Sequence, residues 1–330
     1  MQMVEYLIIP VIKILVVFSV TMFIAAYTTY LERKALGHMQ LRYGPMRVGF
    51  HGLLQPIADG IKNFFKEDVI PENADKAVFI LAPCISITAA VILIAVIPFG
   101  PTVTIFGRKI GLYIANPSIG ILFVLGVATL GSYGNILGGW SSGNKYGYMG
   151  GLRGSAMILS YEISMAFAVV SIIMVTGSFS LVDMVEAQTG FWNIFRQPVA
   201  FMVFMISGIA ELNRTPFDMP EAESELCCGY NVEYSSMKFA LFFLAEYIHM
   251  IVFAALVTTL FFGGWHGPAF LPGVVWFLIK IFTVIFVCIW VRATFPRLRY
   301  DKVMKLEWKF LLPVALFNIL ATGIVMAILG

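Results

Sequence analysis

Residues 77–98 read AVFILAPCISITAAVILIAVIP, and the charge-free run continues to residue 107. A helix needs about 20 residues to cross a hydrocarbon core of about 30 Å. Backbone groups cannot go unpaired in lipid, and the run is continuous rather than alternating, so it reads as a transmembrane helix and not as a barrel strand. The signature recurs: residues 14–31, 110–144, 163–182, 247–279 and 310–330 also lack Asp, Glu, Lys and Arg. Eight spans are expected, near 6–31, 77–98, 117–138, 154–176, 198–217, 237–262, 273–292 and 306–329. The expected fold class is an all-α polytopic membrane protein. Of the 330 residues, 59% are apolar and only 12% are charged, against about 25% charged in a soluble domain. That excludes a soluble enzyme, a nucleic-acid-binding domain and a secreted disulfide scaffold. No Lys or Arg precedes Lys13 and no small-residue cleavage site follows the first apolar stretch, so that stretch reads as a retained helix. No internal repeat, linker or low-complexity tail interrupts the chain, and residues 1–330 read as a single integral membrane domain.

Cytoplasmic loops carry the excess of Lys and Arg. Seven basic residues fall in the loop 32–76, two in 139–153, two around 211–238 and five in 292–305. Sixteen of the 22 therefore lie on one side, and only Arg108, Lys109 and Arg196 on the other. Both termini are expected outside, with the long loops in the cytoplasm. The outer loops read as short and bland, so function is sought on the basic side.

The first long loop carries QPIADGIKNFFKED, residues 55–68. Ile57, Ile61, Phe64 and Phe65 share one helical face, with Asp59, Lys62, Asn63, Lys66 and Glu67 opposite, and Pro56 suits a helix start. This predicts an amphipathic helix lying in the membrane interface. It serves either as a surface anchor or as the lip of a lateral opening for a lipid-like molecule.

The third basic-side segment holds six acids within 23 residues, Glu211, Asp218, Glu221, Glu223, Glu225 and Glu233, opposed locally by Arg214. The fifth span starts no earlier than Pro198, so Glu211 is its fourteenth residue, about 21 Å along and still within the membrane. Glu162 and Glu246 lie at comparable depth on the fourth and sixth spans, and His249 shares the face of Glu246. Carboxylates in a bilayer face a bundle interior or a hydrated cavity, and burial raises their proton affinity. A proton or ion path is one reading, and a set of paired structural acids is the other. Lys13 and Lys280, near the outer ends of their spans, are expected to snorkel outward. Cys84, Cys227, Cys228 and Cys288 form no C-x-x-C pair and no iron–sulfur or zinc spacing, so no metal site is expected. A haem between helices needs two intramembrane histidines, and only His249 qualifies. The glycine-rich stretch 131–154 lacks the strand and helix context of a nucleotide-binding loop.

Glu-Arg-Lys at 32–34 followed by Arg-Tyr-Gly-Pro at 42–45, and Pro-Phe-Asp-Met-Pro-Glu-Ala-Glu-Ser-Glu-Leu at 216–226, identify a family. With residues 55–68 and 290–300 they resemble the quinone-site membrane subunits, or H subunits, of proton-pumping NADH:quinone oxidoreductase, respiratory complex I. The resemblance spans essentially the whole chain. Leu212 departs from the family's frequent Thr, and Cys227 and Cys228 replace small or apolar residues; no charge is lost. The resemblance implies a membrane subunit of the bacterial inner membrane that forms much of a quinone-access chamber and couples quinone reduction to proton translocation. It implies Arg33, Arg42, Asp59, Lys62, Arg214, Phe217, Asp218 and Arg297 near that chamber, and an acidic funnel of Glu162, Glu211, Glu221, Glu223, Glu225 and Glu246. No residue is catalytic in the strict sense and no redox centre is expected in this chain. Quinone is the substrate, FMN and iron–sulfur clusters are expected in partner subunits, and other complex I subunits and the lipid bilayer are the partners. The alternatives are the equivalent subunit of a membrane-bound hydrogenase or of a ferredoxin- or coenzyme-fed dehydrogenase, and a stand-alone ion transporter.

Overall fold

A computed structural model describes residues 9–105, 108–268 and 270–329. Helices are α1 (Ile9–Met39), α2 (Gln55–Phe65), α3 (Lys76–Ile94), α4 (Gly120–Ser141), α5 (Lys145–Thr176), α6 (Leu181–Glu186), α7 (Asn193–Arg196) and α8 (Pro198–Glu211). They continue as α9 (Glu223–Leu226), α10 (Ser236–Phe261), α11 (Gly273–Thr294), α12 (Tyr300–Leu306) and α13 (Leu312–Leu329). A π-helical turn, Glu307–Leu311, makes α12 and α13 one continuous rod. Among the described residues, seven helices are long and apolar enough to cross a membrane, and α8 is a shorter apolar helix between α5 and α10. The chain is an all-α polytopic membrane protein, and the amphipathic helix stands where the sequence placed it, as α2. Residues 6–8 of the first expected span lie outside the described residues.

Several helix ends differ from the sequence reading. α8 ends at Glu211 instead of 217, because Asn213 adopts a left-handed φ of 52° and Pro216, lacking an N–H, cannot extend the ladder. Its 14 residues reach about 21 Å. α1 runs past residue 31 to Met39, since Leu-Glu-Arg-Lys-Ala-Leu are all strong helix formers. α5 starts at Lys145 instead of 154 because Asn144 caps it, accepting the Tyr146 N–H at 2.9 Å. Gly147, Gly150, Gly151 and Gly154 are buried within this helix as packing surface. The outer connections are also richer than expected: β1 (Gly100–Ile105) and β2 (Arg108–Leu112) form an antiparallel hairpin, and α6 and α7 fold over the end of α10. The alternation in Thr102-Val103-Thr104-Ile105 is the strand signal inside a stretch expected to be a short, bland outer loop.

The packing is that of a protein in hydrocarbon. Val11, Leu15 and Phe23 on α1 and Phe317, Leu320 and Ile324 on α13 point outward, while polar side chains link helices inside. Gln197 donates to Thr322 Oγ1 at 2.9 Å, and Asn318 donates to Gln197 Oε1 and Ser171 Oγ at 3.1 Å each. Such hydrogen bonds hold helices together where lipid offers no hydrophobic contrast. α10 is the central element, buried from Met250 to Phe261. Lys280 runs toward the outer end, but its ammonium is held in the turn after α10. Its Nζ donates to the carbonyls of Phe262, Gly264 and His266 at 2.6, 2.8 and 2.6 Å and lies 4.6 Å from the Trp192 ring centroid. The carbonyls where α10 ends lack helical partners and hold the ammonium there.

Candidate functional site

The site begins with a stripe on α1. Thr21, Ala25, Thr28 and Glu32 recur at helical spacing and are its buried face. The two threonines hydrogen-bond the carbonyls of Val17 and Ile24, so they bury no free hydroxyl. Glu32 ends the stripe at 3% exposure. Two arginines reach it: Arg214 Nη1 at 2.6 Å, and Arg292 from the end of α11. Arg214 Nε stands 2.7 Å from Glu246 Oε1 on α10, and its guanidinium lies 4.6 Å from the Tyr247 ring centroid. Two acids and two bases thus form a charge-balanced quartet joining α1, α10, α11 and the segment after α8, with Glu32 and Arg214 buried and Arg292 at its partly exposed edge. Isolated buried charges are costly, whereas members of such a group compensate one another.

The segment 212–235 is held down to deliver Arg214. Gly229 has φ 55°, and a Cβ there would sit 1.6 Å from the Pro220 carbonyl oxygen. Gly150 on α5 lets the same loop approach, since a Cβ would lie 2.7 Å from that oxygen. Phe217 is buried with its ring 5.5 Å from that of Tyr161. The loop after α11 clamps the segment from the other side: Arg297 pairs with Asp218 at 2.5 Å and the Leu298 N–H donates to the Pro216 carbonyl at 3.0 Å. Glu221 accepts from Asn231 Nδ2 at 2.6 Å, and burial, reinforced by Glu246 and Asp218, pushes its carboxyl up to about 8.

Glu211, Glu221 and Glu246 line one narrow cavity of about 60 Å³, with His249, Asn135 and Ser86 deeper among α3, α4 and α10. At about 10–15 Å³ per water in the same measure, it has room for a few waters with polar partners along its wall. Three carboxyls from α8, the loop and α10 therefore meet at one cavity. That space adjoins the quartet through Glu246, which belongs to both. Glu162 lies on α5 outside the lining and accepts from the Thr129 hydroxyl.

The other sequence-derived residues spread further out. Arg33 pairs with Asp59 at 2.6 Å, and Gln55 donates to Asp59 at 2.9 Å, tying the end of α1 to α2. Arg42 and Lys62 are exposed. Glu225 has a side chain 48% exposed and pairs with Arg153 at 2.5 Å, away from the cavity. The side chain of Glu223 lies outside the described residues. Arg214 is not matched by its sequence neighbours as expected; Glu32 and Glu246 are its partners. Sequence reasoning missed Glu32, Arg292 and Glu307. Glu307 is fully buried in the π turn and accepts from the Ser164 hydroxyl. Among the described residues no group of three or more His, Cys, Asp or Glu is arranged to hold a metal ion.

The family described as NADH dehydrogenase matches residues 12–323. Across 98% of this chain and 96% of the relative, the sequence is 52% identical to an NADH-quinone oxidoreductase H subunit of Geobacter sulfurreducens. The chain belongs to the family of NADH-quinone oxidoreductase H subunits. It is also 52% identical to an H subunit of Geobacter metallireducens, over 98% of this chain and 97% of that protein. Identity to an H subunit of Rhizobium meliloti is 47% over 98% of this chain and 99% of the relative. Membership of the H-subunit family covers the whole site: the α1 stripe, the segment 212–235 and the arginines at the end of α11 all lie within the matched residues.

Proposed function

We propose that the chain works as one integral membrane domain of a proton-translocating NADH:quinone oxidoreductase. In this reading it forms the membrane-side wall of the quinone chamber and passes the charge change of quinone reduction into a carboxyl relay. The observation that carries the reading is the sharing of Glu246 between the quartet and the cavity lined by Glu211 and Glu221. Arg214, Asp218, Phe217 and Arg297 position the segment at the chamber, and Arg33, Asp59, Lys62 and Arg42 mark its mouth beside α2. Exposed Ile57, Ile61, Phe64 and Phe65 on α2 suit a helix lying at the lipid surface where a hydrophobic quinone arrives.

Negative charge developing on reduced quinone raises the proton affinity of nearby carboxyls and pulls on Arg214. Arg214 shifts its weight between Glu32 and Glu246, and a freed Glu246 takes up a proton from the cavity. Glu211 and Glu221 exchange protons with it across the cavity, and Glu162, Glu223 and Glu225 extend the acidic path. Quinone chemistry and electron supply, through flavin and iron–sulfur clusters, belong to partner subunits. The Lys and Arg asymmetry supports an orientation with both termini periplasmic, and the family supports the bacterial inner membrane. The relatives are named for NADH and quinone, which favours this reading over a hydrogenase-type subunit. The test is Glu211→Gln in assembled membranes. NADH oxidation with an artificial acceptor stays normal, while quinone reduction and proton pumping fall together. Normal quinone reduction with normal pumping would leave Glu211 a structural residue.

A further inference from the structure

A second cavity lies at the opposite, hairpin end of the molecule, among α1, the end of α3, β2, α10 and α11. Its volume is about 900 Å³, near the top of the range of about 300–1,000 Å³ typical of ligand pockets. The walls are almost wholly aliphatic and aromatic. The hydroxyl of Thr21 is occupied by the Val17 carbonyl at 2.8 Å, and among the described residues the one charged side chain in the lining is Lys13. Water has too few partners here to fill such a volume. The helices around it face a bilayer, so hydrocarbon is the solvent at hand. Ile12, Val16 and Val20 follow one another at one-turn spacing along α1 and are about half exposed, as is Phe282 on α11, so the cavity opens sideways between these two helices.

Lys13 gives the occupant its charge. Its Nζ donates to the Tyr113 carbonyl at 3.2 Å and lies 5.7 Å from the Tyr113 ring centroid. Among the described residues no carboxylate lines the cavity. An ammonium has three donors, and an anionic phosphate is the partner that uses the remaining two. We propose that this cavity is a binding site for an anionic phospholipid of the hairpin-side leaflet, with an acyl chain in the apolar space and the phosphate on Lys13. The site is separate from the charged quartet and its cavity, and its lipid fastens α1, loosely packed in its first half, to α10 and α11.

The experiment uses the assembled membrane complex in nanodiscs containing equal phosphatidylglycerol and phosphatidylcholine, one of the two carrying a diazirine in mid-chain. Phosphatidylglycerol labels peptides around Val17, Ile251 and Leu278 above the level found on lipid-facing Leu320. It exceeds phosphatidylcholine there by about fivefold, the effect of one basic residue at a lipid phosphate. Lys13→Gln brings the two lipids to parity while labelling persists. Val16→Trp, at the rim and clear of α10, reduces labelling by both lipids without altering assembly. Three results would each overturn the proposal: labelling no greater than at Leu320, no headgroup preference in the unaltered complex, or a cross-link from Ile12→Cys to a neighbouring protein occupying the cavity.

Discussion

Arg214 stands between carboxylates drawn from α1 and α10, and its role follows from charge balance. Arg214→Ala leaves Glu32 and Glu246 buried with Arg292 alone against them, a loss of about 3–5 kcal/mol for one partner of a buried network. The solubilised complex carrying this variant should melt earlier and assemble poorly; unchanged melting and assembly would mean that the quartet is solvated. Glu221 gives a pH signature. Its carboxyl is raised by burial to about 8, so the proton it holds in the folded loop favours the fold. That contribution is complete below the ordinary carboxyl range near about 4.3 and is lost as pH rises through about 8. Hydrogen exchange of residues 212–235 should therefore speed up between pH 5 and 8 beyond its intrinsic rise, and Glu221→Gln should abolish that excess. An equal excess in the variant would remove Glu221 as its cause. At this scale the acids of 211–225 and the depth of Glu211 were legible, because an ionisable residue in an apolar run is conspicuous. Glu32 was not, because it opens a basic loop and resembles ordinary surface charge. The signal that finds it is the spacing Thr21, Ala25, Thr28, Glu32, which continues the buried face of α1 into the charges.

Among the elements, α8 decides where the site lies. A helix of 14 residues stops inside the membrane, and the chain spends residues 212–235 in a loop where further turns of helix would otherwise have run. The depth of Glu211 was readable from Pro198, but the end of the helix there was not, since the expected span ran on through Pro216 to residue 217. The hairpin was not readable either, because four alternating residues are too short a signal to stand out in a stretch expected to be an outer loop. The end of α10 gives the prediction at this scale. Lys280 satisfies three carbonyls at once, and Lys280→Met keeps the length of the side chain while leaving them unpartnered. Each group left unsatisfied costs about 1–3 kcal/mol, so the turn 262–266 should lose hydrogen-exchange protection and the complex should melt earlier. Unaltered protection of that turn would show that water replaces the ammonium without loss.

The whole molecule is apolar both inside and on its flanks. Its lipid-facing surface is apolar, its interior carries the hydrogen-bonded Ser, Thr, Asn and Gln, and its ionisable groups gather at the basic end. That polarity was plain in the sequence from the charge-free runs and the lopsided Lys and Arg count. Which carboxyls share a cavity was not, since Glu211, Glu221 and Glu246 meet only through the docking of the loop on Gly150 and the central place of α10. On the proposed mechanism these three titrate as one coupled group when quinone is reduced. The redox-difference infrared spectrum of the assembled complex, with and without Glu211→Gln, reads that coupling. Reduction of quinone in the unaltered complex should give a change in the protonated-carboxyl region. In Glu211→Gln part of that change should vanish, and the remainder should shift, because Glu221 and Glu246 have lost a titrating neighbour. A difference spectrum unchanged by Glu211→Gln would contradict the coupling of the three carboxyls.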